Sequence, residues 1–242
     1  ELDKKDLFDL QTEYKEKIKT LNKKQKANFL VEIGLKYQKY GEIKEALLNI
    51  NEAKKIVEKN SSNENIIKIK FILSRLYRDI CNFKICEKYL NECEEFYKKN
   101  RNSSIYKEII QDFCILYQNW TKFDNALEYC DKIYTLSKET NDKEYELVSY
   151  QQYTFIYSKL DDSNKKEEYL EKAFSLEREI NNSFILAHLY QSKAVNYVNV
   201  NEYTKALDNL NKALELYKTQ ENIFMINHMY YKIGYVYYKL FD

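Results

Sequence analysis

Apolar and small side chains return along this chain in two nested rhythms. Within short stretches they recur at spacings of three, four and seven, the stripe of an amphipathic α-helix. Over the whole chain the stripe itself returns every 40 residues, marked by Tyr37, Tyr77, Tyr117, Tyr157, Tyr197 and Tyr237. Three residues before each tyrosine stands a small residue: Gly34, Ser74, Cys114, Thr154, Ala194 and Gly234. Nine residues after it comes a second small position, Ala46, Cys86, Ala126, Lys166 and Ala206. Four further on lie Ile50, Leu90, Cys130, Leu170 and Leu210, and three beyond those Ala53, Cys93, Ile133, Ala173 and Ala213. Each unit therefore predicts a helix A carrying small-x-x-Tyr, a short turn, and a helix B carrying Ala-x-x-x-Leu-x-x-Ala.

Polar residues break the stripe where turns belong: Gly41-Glu42, Asp79 with Asn82, Asn119 with Thr121, Asp161-Asp162-Ser163, and Asn199 with Asn201. Asn- and Ser-rich links, Asn60 to Asn63, Asn100 to Ser104 and Asn181 to Ser183, separate the units. With the tyrosine as marker, units begin near 27, 67, 107, 147 and 187, giving 27–66, 67–106, 107–146, 147–186 and 187–226, with a half unit over 227–242. The absence of Pro and the presence of only three Gly remove the usual punctuation of hairpins and phosphate loops, so the fold class is all-α.

This pattern resembles the tetratricopeptide repeat, with small-x-x-Tyr in helix A and Ala-x-x-x-large-x-x-Ala in helix B. The resemblance covers residues 27–242. It implies a right-handed superhelical solenoid of about five and a half helical hairpins, with A helices on the concave side. Two departures stand out: the period is 40 rather than 34, and the proline that closes helix B is missing.

Residues 1–26 match the repeat poorly. An amphipathic helix is expected over 2–22, with Leu7, Leu10, Tyr14, Ile18 and Leu21 on one side, while Asp6 and Glu13 replace Ala46 and Ala53. It reads equally as a capping helix or as a connector from an upstream domain, the chain opening with Glu1 rather than Met. At the other end, Tyr230 to Tyr238 is a helix A with aromatic residues nearly all round, which predicts burial by more chain or by a second copy.

A net charge of +1 with both signs interspersed points to no nucleic-acid or membrane partner for this segment, and no apolar run is long enough to span a bilayer. Phosphate-loop, dinucleotide, zincin and nucleophile-elbow motifs are all absent, so no cofactor, metal or catalysis is expected. Cys86, Cys93, Cys114 and Cys130 fall on core positions and read as packing residues in a reducing, cytoplasmic setting; Cys81 falls in a turn as the accessible thiol. His188 and His228 sit one period apart on helix A, where they read as groove lining in preference to metal ligands. Trp120, in a turn, reads as packing.

The candidate binding surface is the exposed side of the A helices. Gln111, Gln151 and Gln191 repeat at one position, an amide ladder suited to the backbone of an extended peptide, or else three solvated side chains. Gln118, Asn119 and Asn199 extend the polar face. Lys68, Arg75 and Arg78 share a helix side; they either hold a ligand carboxylate or pair with Asp79, Glu108 or Asp112. The chaperone-tail carboxylate clamp of some tetratricopeptide domains is excluded by Val31 and Leu35 at its first-unit positions.

Long units, an AT-rich bacterial style of composition and an amide-lined groove resemble the cytosolic peptide-pheromone receptors of Gram-positive bacteria, the Rap, Rgg, NprR and PlcR group. That resemblance implies a short signalling peptide in the concave groove, transcription control through a DNA-binding domain outside this chain, and a homodimer through the C-terminal aromatic helix. A general protein–protein scaffold and a non-catalytic regulator of a phosphotransfer protein are the alternatives.

Overall fold

The computed structural model describes residues 5–58, 63–177 and 183–241, and in these residues the secondary structure is helical throughout. The helices are α1 (Lys5–Lys17), α2 (Lys23–Lys39), α3 (Ile43–Glu58), α4 (Asn63–Asp79), α5 (Phe83–Tyr97), α6 (Ser104–Asn119), α7 (Phe123–Glu139), α8 (Lys143–Lys159), α9 (Ser163–Glu177), α10 (Ser183–Asn199), α11 (Tyr203–Thr219) and α12 (Ile223–Phe241), with a 3₁₀ turn over Lys98–Asn100. Even-numbered helices from α2 to α12 are the A helices; α3, α5, α7, α9 and α11 are their B partners. Each A helix begins three or four residues before the unit edges read from the tyrosines, because its caps lie upstream. Asn22, Ser103 and Asp142 accept from backbone N–H groups three residues on, and Asn22 with Gln25 completes a capping box.

The tyrosine marks the end of helix A. The carbonyls of Tyr37, Tyr77, Tyr117, Tyr157 and Tyr197 accept from the N–H groups of Glu42, Asn82, Lys122, Asp162 and Glu202, five residues on, at 2.8–3.1 Å. That is the six-to-one bond of a Schellman motif, which needs a left-handed residue just past the helix. Gly41 fills this place in the first hairpin with φ 78°, but Cys81, Thr121, Asp161 and Asn201 fill it in the others with φ 55–61°.

The chain divides into two compact units, Glu1–Tyr129 and Cys130–Asp242. In the first, Ala46, Ile50 and Ala53 of α3 are fully buried with Leu73 and Leu76 of α4. A Cβ on Gly34 would meet Ile50 Cδ1 at 2.6 Å and the Ala46 carbonyl at 3.3 Å, so glycine there lets α2 and α3 touch. Cys114 makes the same contact with the Ala126 carbonyl at 3.6 Å. In the second unit Ala187 and Ala194 of α10 pack on Ala206, Leu210 and Ala213 of α11, with Met229 and Val236 of α12 closing the cluster.

One sequence expectation changes. Among the described residues the first helix runs over Lys5–Lys17 and ends at Lys17 rather than at 22, because Asn22 is already the cap of α2. Asp6, a misfit to the repeat, anchors this helix: it accepts from Lys36 Nζ at 2.5 Å and from the Tyr40 hydroxyl. These two hydrogen bonds hold its carboxyl down at about 2. Tyr117 and Tyr157 are buried, but Tyr237 is 46% exposed, and a Cβ on Gly234 would meet nothing within 4 Å. The links over Asn60 to Asn63 and Asn181 to Ser183 lie largely outside the described residues.

Candidate functional site

Helices α4 and α6 carry the predicted site residues of the first unit. Arg75 and Arg78 converge on one acceptor, Asp112 of α6, which is buried to 4% exposure. Arg75 Nε donates to Asp112 Oδ2 at 2.5 Å and Arg78 Nη1 to Asp112 Oδ1 at 2.6 Å. Arg75 Nη2 also donates to Glu108 at 3.0 Å, and its guanidinium lies 4.3 Å over the Phe71 ring. The carboxylate held by this pair is thus the chain's own. Lys68 does not join them; it is exposed and bonds Glu64 one turn earlier at 2.7 Å. Gln111 is half-buried, Gln118 is half-buried and donates to Cys114 Sγ at 3.2 Å, and Asn119 is exposed at the end of α6.

Between α2 and α4 opens a cleft of about 360 Å³ that sequence reasoning did not single out. Val31, Leu35, Val57, Ile69 and Ile72 form its apolar floor, and Asn28, Asn65 and Lys68 stand among its polar lining. Val31 and Leu35, which exclude the chaperone-tail clamp, are two of the five apolar residues of this floor. The signal lay in Asn28 and Asn65, whose place beside an apolar floor shows only once two helices are packed.

In the second unit, Gln151 and Gln191 are half-buried on α8 and α10. The Gln191 Oε1 atom is buried with no hydrogen-bond partner among the described residues, as are Asn196 Oδ1 and the Tyr217 hydroxyl. An unmet buried acceptor is costly unless something donates to it. His188 packs edge-on against Phe184 at 4.7 Å and Tyr217 at 5.7 Å. Burial lowers its pKa, and the neighbouring His228 lowers it further. Burial likewise lowers that of His228, with Lys232 adding to the effect. Asn199 is exposed at the end of α10.

Among the described residues no group of three or more His, Cys, Asp or Glu side chains is placed to hold a metal ion. Cys86, Cys93, Cys114 and Cys130 are buried and Cys81 is exposed. Burial pushes the Cys86 and Cys93 thiols up to about 12, which suits packing rather than redox work. Trp120 stacks on Tyr117 and sits 5.7 Å from Phe83, with Lys122 over its face. No described helix is long and apolar enough to cross a membrane.

No protein-family model matches the chain, and no curated protein matches it. Solved structures do. A signal-transduction ATPase with a tetratricopeptide repeat sensor from Pyrococcus horikoshii aligns over 84% of the chain at 18% identity and a TM-score of 0.65. Aspartyl phosphate phosphatase F from Bacillus subtilis aligns over 94% at 13% identity and 0.67. A Rap protein complexed with competence and sporulation factor aligns over 97% at 13% identity and 0.64. The chain spans 31% of the first of these proteins, 63% of the second and 69% of the third. Its fold is that of a tetratricopeptide-like array of helical hairpins, similar to the arrays of the Rap proteins.

Proposed function

We propose that this array is the sensor of a quorum-sensing-type regulator and binds a short signalling peptide along its A helices. The observation that carries the reading is the half-buried Gln191, whose Oε1 has no hydrogen-bond partner among the described residues and, once the side chain turns outward, would accept from a backbone N–H of an extended ligand. Arg75 keeps a part in this reading. Its bond to Glu108 is half-exposed and exchangeable, so a ligand carboxylate can replace Glu108 while Asp112 stays buried. The same reading places the protein in the cytoplasm of a Gram-positive bacterium, with transcription control exerted by a DNA-binding domain outside this chain. It adds a homodimer joined through α12, whose Phe224, Tyr231 and Phe241 are more than 75% exposed.

Calorimetry with a panel of short synthetic peptides tests it. A binding peptide should lose about tenfold or more in affinity with Gln191→Ala, and a smaller factor with Arg75→Ala. Equal affinity in both variants would remove the groove assignment. Similarity to kinesin-light-chain-like repeats, at 16% identity and a TM-score of 0.64, favours a second reading as a plain scaffold for a folded partner. A non-catalytic action on a phosphotransfer protein is the third. Peptides that never bind, beside a stable complex with a folded partner, would select between the first reading and these two.

A further inference from the structure

Two of the five hairpins, α6–α7 and α8–α9, share an internal feature that α10–α11 lacks. In both, a ring from helix B lies against the residue four before the signature tyrosine. Tyr129 stacks on Phe113 at 4.5 Å, and Tyr169 stacks on Tyr153 at 4.2 Å. In α10 and α11 the residues at these places are Lys193 and Asn209. Asn209 is buried and its amide folds back onto the Lys205 carbonyl at 2.8 Å. Where a stacked pair would stand there is an open cleft of about 650 Å³. Aromatic side chains still line it: Tyr190 and Phe174 lie 5.4 Å apart, and Tyr197 stands beside them.

Its charge differs as well. Tyr117 and Tyr153 donate to Glu87 and Asp131 of the preceding helices. In the open cleft Phe174 occupies a helix-B position, and three lysines line the space against one carboxylate, Asp208. Lys193 Nζ lies 4.8 Å from the Phe174 ring, Lys205 5.6 Å from Tyr197 and Lys212 5.7 Å from Tyr190. Lys205 and Lys212 also pair with Glu202 and Asp208, but these are exposed neighbours on one helix and easily exchanged. At about 100° per residue, Lys193 points some 200° around α10 from Gln191, so this surface is distinct from the peptide groove.

We infer that the cleft of α9, α10 and α11 docks an acidic segment of a partner protein that carries an aromatic ring. The ring takes the place that Tyr169 fills one hairpin earlier, and the flanking carboxylates meet Lys193, Lys205 and Lys212. A ring alone would leave the lysines unmatched, and acidic residues alone would leave the aromatic wall wet.

The test uses three capped pentapeptides at low ionic strength: Glu-Asp-Tyr-Asp-Glu, the same with Ala for Tyr, and Gln-Asn-Tyr-Asn-Gln. The first should bind the full chain, and each of the others at least about tenfold more weakly. Asn209→Tyr supplies the ring that α7 and α9 carry at this place; it should fold with an unchanged or higher melting temperature and lose binding by a similar factor. Lys193→Ser should weaken binding without unfolding the hairpin, whereas Lys172→Ser, on the exposed side of α9, should not. No binding of the first peptide would overturn the inference. So would equal binding of the Ala peptide, which marks mere charge attraction, or full binding by Asn209→Tyr. Peptide binding along the A helices can fail or succeed independently of all these outcomes.

Discussion

Gly34 and Gly234 hold the same place in the repeat and meet opposite surroundings. Alanine at 34 drives a methyl into Ile50 and toward the Ala46 carbonyl, both in a filled core, and should cost about 1–3 kcal/mol. Alanine at 234 has open space and gains helix propensity, so stability should rise by about 0.5–1 kcal/mol. Chemical denaturation of both variants checks the opposite signs. Lys166 is the second informative residue. It stands in the helix B slot that Ala46, Ala126 and Ala206 fill, and it is 7% exposed. Burial lowers its pKa from the ordinary lysine value. The folded chain therefore binds this proton less well than the unfolded chain does, and stability climbs as pH rises through the folded pKa toward about 10.5. Lys166→Ala should raise stability near neutral pH by about 1 kcal/mol and flatten that alkaline climb, read from melting temperatures across pH 7 to 10.

At the scale of elements, the hairpins were legible because their signals agree: stripe, small residues and polar breaks all keep one period. The turn sites read from Gly41, Asn119 with Thr121, Asp161 and Asn201 hold the left-handed residues that close helix A. What the letters do not reveal is that Cys81 and Thr121 adopt that conformation, since neither residue type favours it. Geometry imposed by the six-to-one bond overrides their preference. Thr121→Gly should therefore stabilise the chain by about 0.5–1 kcal/mol, whereas Gly41→Ala should destabilise it by about 1 kcal/mol, both measured by thermal unfolding. The first helix ends early for a related reason. Asn22 serves as a cap, and a cap cannot also be helix interior.

Across the whole molecule, the site was less legible than the fold. Position in the repeat identifies which residues leave the core, but not what they meet. Arg75 and Arg78 illustrate this: spacing puts them together, and only packing reveals that Asp112 receives both. The cleft beside Asn28 and the open space at Asn209 arise from residues on two or three helices, so neither shows in any single stripe. The aromatic wealth of α12 was plain, but which of its rings stand exposed shows only in the packing. If a second copy covers it, Phe224→Ser with Tyr231→Ser should turn a dimer into a monomer in sedimentation at micromolar concentration, leaving helicity unchanged.

Gly234 makes that surface observable. A cysteine there would face open space, and exchanging Cys81, the one exposed native thiol, for serine leaves it as the sole ready site for labelling. A nitroxide at that point would tumble freely on the bare helix and slow when any helix arrived against it. The residue that at position 34 lets two helices touch becomes, at position 234, a vantage point from which an approaching partner can be timed.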